Sequence, residues 1–187
     1  MNIAYTIGDV ETTGLDPRRN SIVQLAAQHV DENLDVVHEF NEFIYPPAMT
    51  IIEKVAMERN RVDMIKVMSA PSELEIAEKF AEFTRLAPGV RFVAHNAPFD
   101  WAFLCALEER TGVFFSYFQP EIPEHGLKEP PWIDTLPLSR RLLPNSMIKN
   151  HQLPTLAAHF GFPSNHAHDA LFDVNTLRLV WRAMRKL

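Results

Sequence analysis

The sequence predicts an α/β fold, a mixed sheet flanked by helices. Three observations lead there. Three apolar segments with strand character crowd into the first 44 residues, separated by turn residues. A fourth short apolar run, Val90-Arg91-Phe92-Val93-Ala94, stands between two helical patterns. Nearly everything after it reads as helix, and early strands followed by later helices suggest a mixed sheet with helices packed on it.

Residues 3–10 read as the first strand, from the run Ile3-Ala4-Tyr5-Thr6-Ile7. Leu15-Asp16-Pro17-Arg18-Arg19-Asn20 is a turn, because Pro17 forces an extended or turning backbone before it. Residues 21–30 form the second strand, with Val23, Leu25 and Ala27 on one face, and Asp31-Glu32-Asn33 supplies hairpin-turn chemistry. Residues 36–44 complete an antiparallel meander that Pro46-Pro47 ends. Residues 50–68 suit short helices. Ser72 and Glu75 make a capping-box pair for a helix that Pro88-Gly89 stops. After the strand at 90–94 a helix runs from about 98 to 110. The stretch from Gly112 to Pro131, rich in aromatics and prolines, reads as a long loop or short hairpin. Residues 133–143 and 153–160 read as helices, and a last helix covers about 169–185. No repeat or domain boundary interrupts the chain, which reads as one domain over 1–187.

Composition narrows the function classes. The net charge is −6 over 187 residues, so there is no overall basic surface for tight duplex binding. An acidic chain can still bind nucleic acid where metal ions supply the local positive field, and two divalent cations would leave a net charge of −2. Cys105, the single cysteine, lies in an apolar run and reads as a buried small hydrophobe. There is no signal peptide pattern and no apolar run of membrane-spanning length, so the expectation is a cytoplasmic protein that does not engage a membrane.

Carboxylates carry the chemistry. Asp9 and Glu11 stand one residue apart on a strand and share a face. Two adjacent anions repel unless a cation lies between them, and hard cations such as Mg²⁺ and Mn²⁺ prefer oxygen ligands. A solvated strand end is the other reading of that pair. Asp100 falls in the first turn of a helix, among Phe99, Trp101, Phe103 and Leu104, where a capping role competes with a site role. Asp173 shares a helical stripe with Ala170, Leu177, Val180 and Met184, and a carboxylate on an apolar face is costly unless neutralised or ligated. His168 stands five residues earlier, about 140° away around a helix, so it belongs to the preceding loop or first turn. A histidine with that freedom suits a general base better than a ligand, and His166 is its competitor. Four carboxylates and one histidine suit a two-metal phosphodiesterase site.

Three motifs make the chain resemble the DEDDh (DnaQ-like) 3′→5′ exonuclease family, which includes the proofreading epsilon subunit of DNA polymerase III and RNase T. They are Asp9-Val10-Glu11-Thr12-Thr13-Gly14-Leu15, His95-Asn96-Ala97-Pro98-Phe99-Asp100, and the His168–Asp173 pair within His168-Asp169-Ala170-Leu171-Phe172-Asp173. Ile133-Asp134-Thr135-Leu136 and Leu153-Pro154-Thr155-Leu156-Ala157 also resemble family segments. The resemblance implies an RNase H-like mixed sheet of about five strands and hydrolysis of the 3′-terminal phosphodiester to nucleoside 5′-monophosphates. By matching position it implies that Asp9, Glu11, Asp100 and Asp173 hold two Mg²⁺ or Mn²⁺ ions, with His168 as base and Glu11 also catalytic. Thr12, Thr13, Gly14 and Leu15 would seat the 3′ end, and Asn96 and Phe99 would line the strand path. Its implied partners are single-stranded DNA or RNA 3′ ends and a DNA polymerase, with the chain a monomer or homodimer. A polymerase accessory module that binds nucleic acid with little activity of its own is the alternative. Gly8 departs from the bulky apolar residue usual at its place, which suggests a looser strand. Arg61 reads equally as a phosphate contact or a solvated arginine, and Asp134 resembles a structural position.

Overall fold

A computed structural model of the protein describes residues 2–60, 62–117, 130–163 and 169–187. Among these, five strands form one mixed sheet: β1 (Tyr5–Thr12), β2 (Ile22–Val30), β3 (Val36–Phe43), β4 (Arg91–Ala94) and β5 (Trp132–Asp134). Their order is β3-β2-β1-β4-β5. The first three are the expected antiparallel meander, and β4 and β5 run parallel to β1 and to each other. Helices α1 (Lys54–Asn60), α2 (Met64–Met68), α3 (Glu73–Arg85), α4 (Ala97–Thr111), α5 (Thr135–Leu142), α6 (Leu153–His159) and α7 (Ala170–Met184) complete the described fold.

Strand alternation sorts the two cores. Val10, Leu25, Ala27 and Phe92 pack with α3 and α4. Ile7, Ala26, Val30 and Val93 pack with α6 and α7 on the opposite face. All nine residues of β2 are buried, as a central strand covered on both faces requires. The Ser72–Glu75 capping box is present, with the Ser72 N–H donating to Glu75 at 2.8 Å. Among the described residues no helix is long and apolar enough to cross a membrane.

Three expectations change. Residues 133–143 are not one helix. Trp132 and Ile133 pair with Phe92 and Val93, and the Asp134 carboxylate then caps α5 by accepting from the Leu136 N–H at 2.9 Å. Cys105, expected to be a buried small hydrophobe, is exposed on α4. Gly112 to Tyr117 is loop, as expected, and Phe115 and Tyr117 belong to the core, where Phe115 meets Phe80 edge-on at 5.0 Å. The remaining aromatic and proline residues from 118 to 129 lie outside the described residues, as does Arg61. Gly8 does not loosen β1, because the ring of Phe92 occupies the space where its Cβ would stand.

The register places the carboxyl ends of the strands. β4 pairs with β1 only from Tyr5 to Ile7, so β1 runs on past it carrying Asp9 and Glu11. Crevices beyond the carboxyl ends of parallel strands are where α/β sheets bind ligands.

Candidate active site

Asp9 and Glu11 extend the face of β1 that Ile7 presents to α7, which directs both toward the first turn of that helix. Gln24 of β2 anchors this helix end. Its side-chain oxygen accepts from the Ala170 N–H at 3.3 Å, and its amide donates to Asp169 at 3.4 Å. Gln28, two steps along the same face, donates to Asn175 at 3.1 Å. Asp169 itself is the N-cap, accepting from the Phe172 N–H at 3.0 Å. The anchored turn brings Asp173 to β1, and carboxylate oxygens of Asp9, Glu11 and Asp173 lie within 4.8 Å of one another. Asp173 is on the stripe expected for it but only half-buried, while Ala170, Val174, Leu177, Val180 and Met184 make the buried contacts. It lines the cavity beside Asp9 and so faces that space instead of the core.

Asp100 arrives from the other side. Asn96, in the left-handed conformation at φ 76°, turns the chain from β4 into α4. The Asn96 N–H donates to Asp134 at 2.9 Å, tying this turn to the end of β5. Asp100 then lies in the first helical turn, and its Oδ1 accepts from the N–H of Val10 at 3.2 Å. Beyond the end of β4, the Asp100 side chain takes a main-chain donor of β1 that no strand serves there. Asp100 is only 3% exposed and Glu11 6%.

This electrostatic arrangement is costly without a cation. Burial, and then the charges of Asp100, Glu11, Asp173 and Asp169, push the Asp9 carboxyl well above the usual carboxylate range. Burial pushes Asp100 up to about 8, against the stabilising Val10 N–H. Three carboxylates this close, with Asp100 in the same cavity and both Asp9 and Asp100 reluctant to ionise, fit hard divalent cations, so the donor chemistry agrees with a metal centre. A cavity of about 280 Å³ holds the four carboxylates.

Four of the six residues expected to bind substrate, Thr12, Leu15, Asn96 and Phe99, line the same cavity. Leu15 is 72% exposed although apolar. Thr13 and Gly14 are not among the lining residues. The Thr13 hydroxyl is fully engaged, donating to the Ile51 carbonyl at 2.9 Å and accepting from the Ser21 N–H at 3.0 Å. Gly14 lies against Asn20, whose side chain sits where a Cβ would go. These two residues shape the turn. His168, the expected base, and its competitor His166 lie outside the described residues.

Sequence reasoning left Val10, Ala56, Asn60 and His95 unassigned among the lining residues, and the last two carry polar side chains. Asn60, at the end of α1, donates to the Thr12 carbonyl at 2.8 Å and holds that helix over the motif. His95 opens the second motif and could have been found there. Its Nε2 faces the His151 carbonyl at 2.7 Å, so that nitrogen carries the proton, and its Nδ1 meets the Thr135 hydroxyl at 2.9 Å.

Comparisons with known proteins agree with this geometry. The sequence profile of the RNase_T family, described as an exonuclease, matches residues 6–180. A PolC-type DNA polymerase III of Pediococcus pentosaceus is 36% identical over 174 residues, covering 92% of this chain and 11% of the polymerase. The PolC-type polymerase of Halalkalibacterium halodurans is 33% identical, covering 99% of this chain and 12% of the polymerase. The chain thus spans about a tenth of the length of these relatives. Among solved structures, the zinc-bound complex of Escherichia coli exonuclease I with single-stranded DNA superimposes with a TM-score of 0.80 at 17% identity, covering 97% of this chain and 40% of that one. Exonuclease I from Methylocaldum szegediense gives 0.76 at 21% identity, covering 97% of this chain and 40% of that one.

Proposed function

Because the chain belongs to the RNase_T exonuclease family, the DEDDh (DnaQ-like) 3′→5′ exonucleases, we propose that it hydrolyses the 3′-terminal phosphodiester of single-stranded DNA or RNA with two divalent cations, Mg²⁺ or Mn²⁺. The products are nucleoside 5′-monophosphates, and residues 1–187 act as a single exonuclease domain. The observation that carries this reading is the convergence of Asp9, Glu11 and Asp173 within 4.8 Å, with Asp100 in the same cavity.

These four carboxylates would hold the cations, with Glu11 also close to the reacting phosphate. Bound there, the cations would supply an activated attacking water and charge stabilisation for the leaving oxygen. The chain's own residues position the substrate. The Thr12 hydroxyl spends its proton on the Gly14 carbonyl at 2.7 Å, so its oxygen can accept from a 3′-OH. Leu15 and Phe99 offer apolar surface to the terminal nucleoside, and Asn96 offers an amide at the cavity edge. The PolC-type relatives make a DNA polymerase the proposed protein partner, with this chain a monomer or homodimer.

End-labelled single-stranded DNA and RNA, incubated with Mg²⁺ or Mn²⁺ and then with a chelator, test the proposal. Mononucleotide release with the cation and none with chelator is expected. No release with any divalent cation would refute it. His168 enters as general base on its motif alone. His168→Ala is expected to lower turnover by about 10² or more, the low end of what a positioned base contributes, while cation binding measured by calorimetry is retained. Full activity in that variant would remove His168 from the role.

A further inference from the structure

A second cavity, of about 1000 Å³, adjoins the first. The two share Asp9, His95, Asn96 and Asp173. A phosphodiester cut at that junction has a single nucleoside on one side and the rest of the strand on the other. The smaller space, about 280 Å³ and walled by Leu15, Ala56 and Phe99, suits the single nucleoside. The larger one has a different character. Apart from the shared Asp9 and Asp173, the described residues lining it include no acid, and they do include Arg140 and Lys149. Asn145, Asn150 and Gln152 add amide donors. In a chain of net charge −6, a groove that changes from carboxylates at one end to cations and amides at the other fits a polyanion held in one direction.

The wall carrying these groups is built, not loose. Leu143, Ile148 and Leu153 are buried beneath it in the α6–α7 core. The His151 carbonyl accepts from His95, and the His151 ring meets the Ser139 hydroxyl at 3.1 Å and the Asn145 side chain at 3.3 Å. The segment with Lys149 is therefore tied to the carboxyl end of β4, and Arg140 lies on α5, whose Ser139 belongs to the same network.

We infer that this groove seats the strand upstream of the scissile bond, with Arg140 and Lys149 contacting its backbone phosphates. The inference rests on the exonuclease reading and names the part of the substrate that the carboxylate cavity does not hold. The shared chemistry is a phosphodiester backbone, whether of DNA or RNA.

The test measures binding apart from turnover. Fluorescence anisotropy with labelled oligothymidylate and oligouridylate of equal length, in Ca²⁺, gives the dependence of affinity on salt for the full chain and for Arg140→Gln/Lys149→Gln. Both side chains are exposed, so the variant should fold. Losing two phosphate contacts on a single strand should make the slope of log K against log salt shallower by about 1.4, at about 0.7 per contact. Lys79→Gln/Arg85→Gln removes the same charge from α3, on the opposite face of the sheet, and should leave the slope unchanged. A shallower slope for both oligomers supports backbone recognition, and a change with only one identifies the polymer the groove takes. An unchanged slope in the groove variant, an equal change in the α3 control, or no salt-dependent binding by the parent protein overturns the inference. Mononucleotide release in Mg²⁺, followed separately, tests the exonuclease reading, so either can fail alone.

Discussion

Replacing Asp9 with Asn is expected to reduce turnover by about 10³-fold or more and, in the absence of divalent cations, to raise the melting temperature. The first effect follows because cation stabilisation of a transferring phosphoryl group amounts to several kcal/mol, and each 1.4 kcal/mol is a factor of ten. The second follows from the site itself. Burial and the surrounding carboxylates raise the proton affinity of Asp9, with Asp100 the largest of those charges. An amide has no charge to desolvate and no repulsion to bear, so it should fit the metal-free fold better than a carboxylate.

The pH dependence separates this account from ordinary packing. Unfolded aspartate releases its proton near pH 4, whereas the folded metal-free protein keeps protons on Asp9 and Asp100 to higher pH, about 8 for Asp100. Where the folded state binds more protons than the unfolded state, stability falls as pH rises. Metal-free parent protein should therefore lose melting temperature between roughly pH 4 and pH 8. The Asp9→Asn variant should lose less over that range. Mg²⁺ should stabilise the parent more at pH 8 than at pH 5, since its ligands must be deprotonated, and should stabilise the variant little. Thermal melts across pH, with chelator and with Mg²⁺, measure all three. A variant that keeps its activity, or a parent whose melting temperature in chelator does not fall with pH, would contradict this account of the carboxylates.

Asp9 and Glu11 could be read as a pair because strand alternation is local, and the meander because its three segments are joined by turn residues. The Ser72–Glu75 capping box likewise lies within one helical turn. What escaped the sequence depends on distant contacts. β5 is three residues long, too short for alternation to register, and exists because Phe92 and Val93 offer a free edge. The bond from the Val10 N–H to Asp100 spans 90 positions. Thr13 and Thr12 are adjacent and alike in sequence, yet one hydroxyl is consumed by Ile51 and Ser21 while the other reaches the cavity. Arg140 and Lys149 belong to no motif, and only the packing of α5 and the following segment brings them to one groove. Asp173 is legible as an awkward carboxylate, but not the cavity that it lines beside Asp9.

Gly8→Ala is expected to destabilise the protein by about 1–3 kcal/mol, the usual effect of overpacking a filled core. The sequence suggested a loosened strand at this position, and the packing shows the opposite. A Cβ on Gly8 would lie 2.4 Å from Cε2 and 2.7 Å from Cζ of Phe92. That ring has no room to retreat: Phe92 is fully buried, with Trp101 at 6.0 Å and Tyr117 at 5.8 Å between ring centroids. Removing a glycine from a strand returns only about 0.5–1 kcal/mol, too little to offset the clash. For a chain of this size the melting temperature should drop by roughly 2–4 °C per kcal/mol. Because Gly8 precedes Asp9, a displaced strand should also lower turnover in the presence of Mg²⁺. The ring, not the glycine, sets this constraint, so the two positions should be coupled. Phe92→Leu removes the clashing ring atoms and costs stability by leaving a cavity, which a methyl at position 8 would partly fill. The double substitution should therefore be more stable than the sum of the single effects by about 0.5–3 kcal/mol, the range for residues in direct contact. Melting of the four proteins in one buffer decides it: additive effects, or Gly8→Ala melting with the parent, would mean that Phe92 is not what requires glycine beside Asp9.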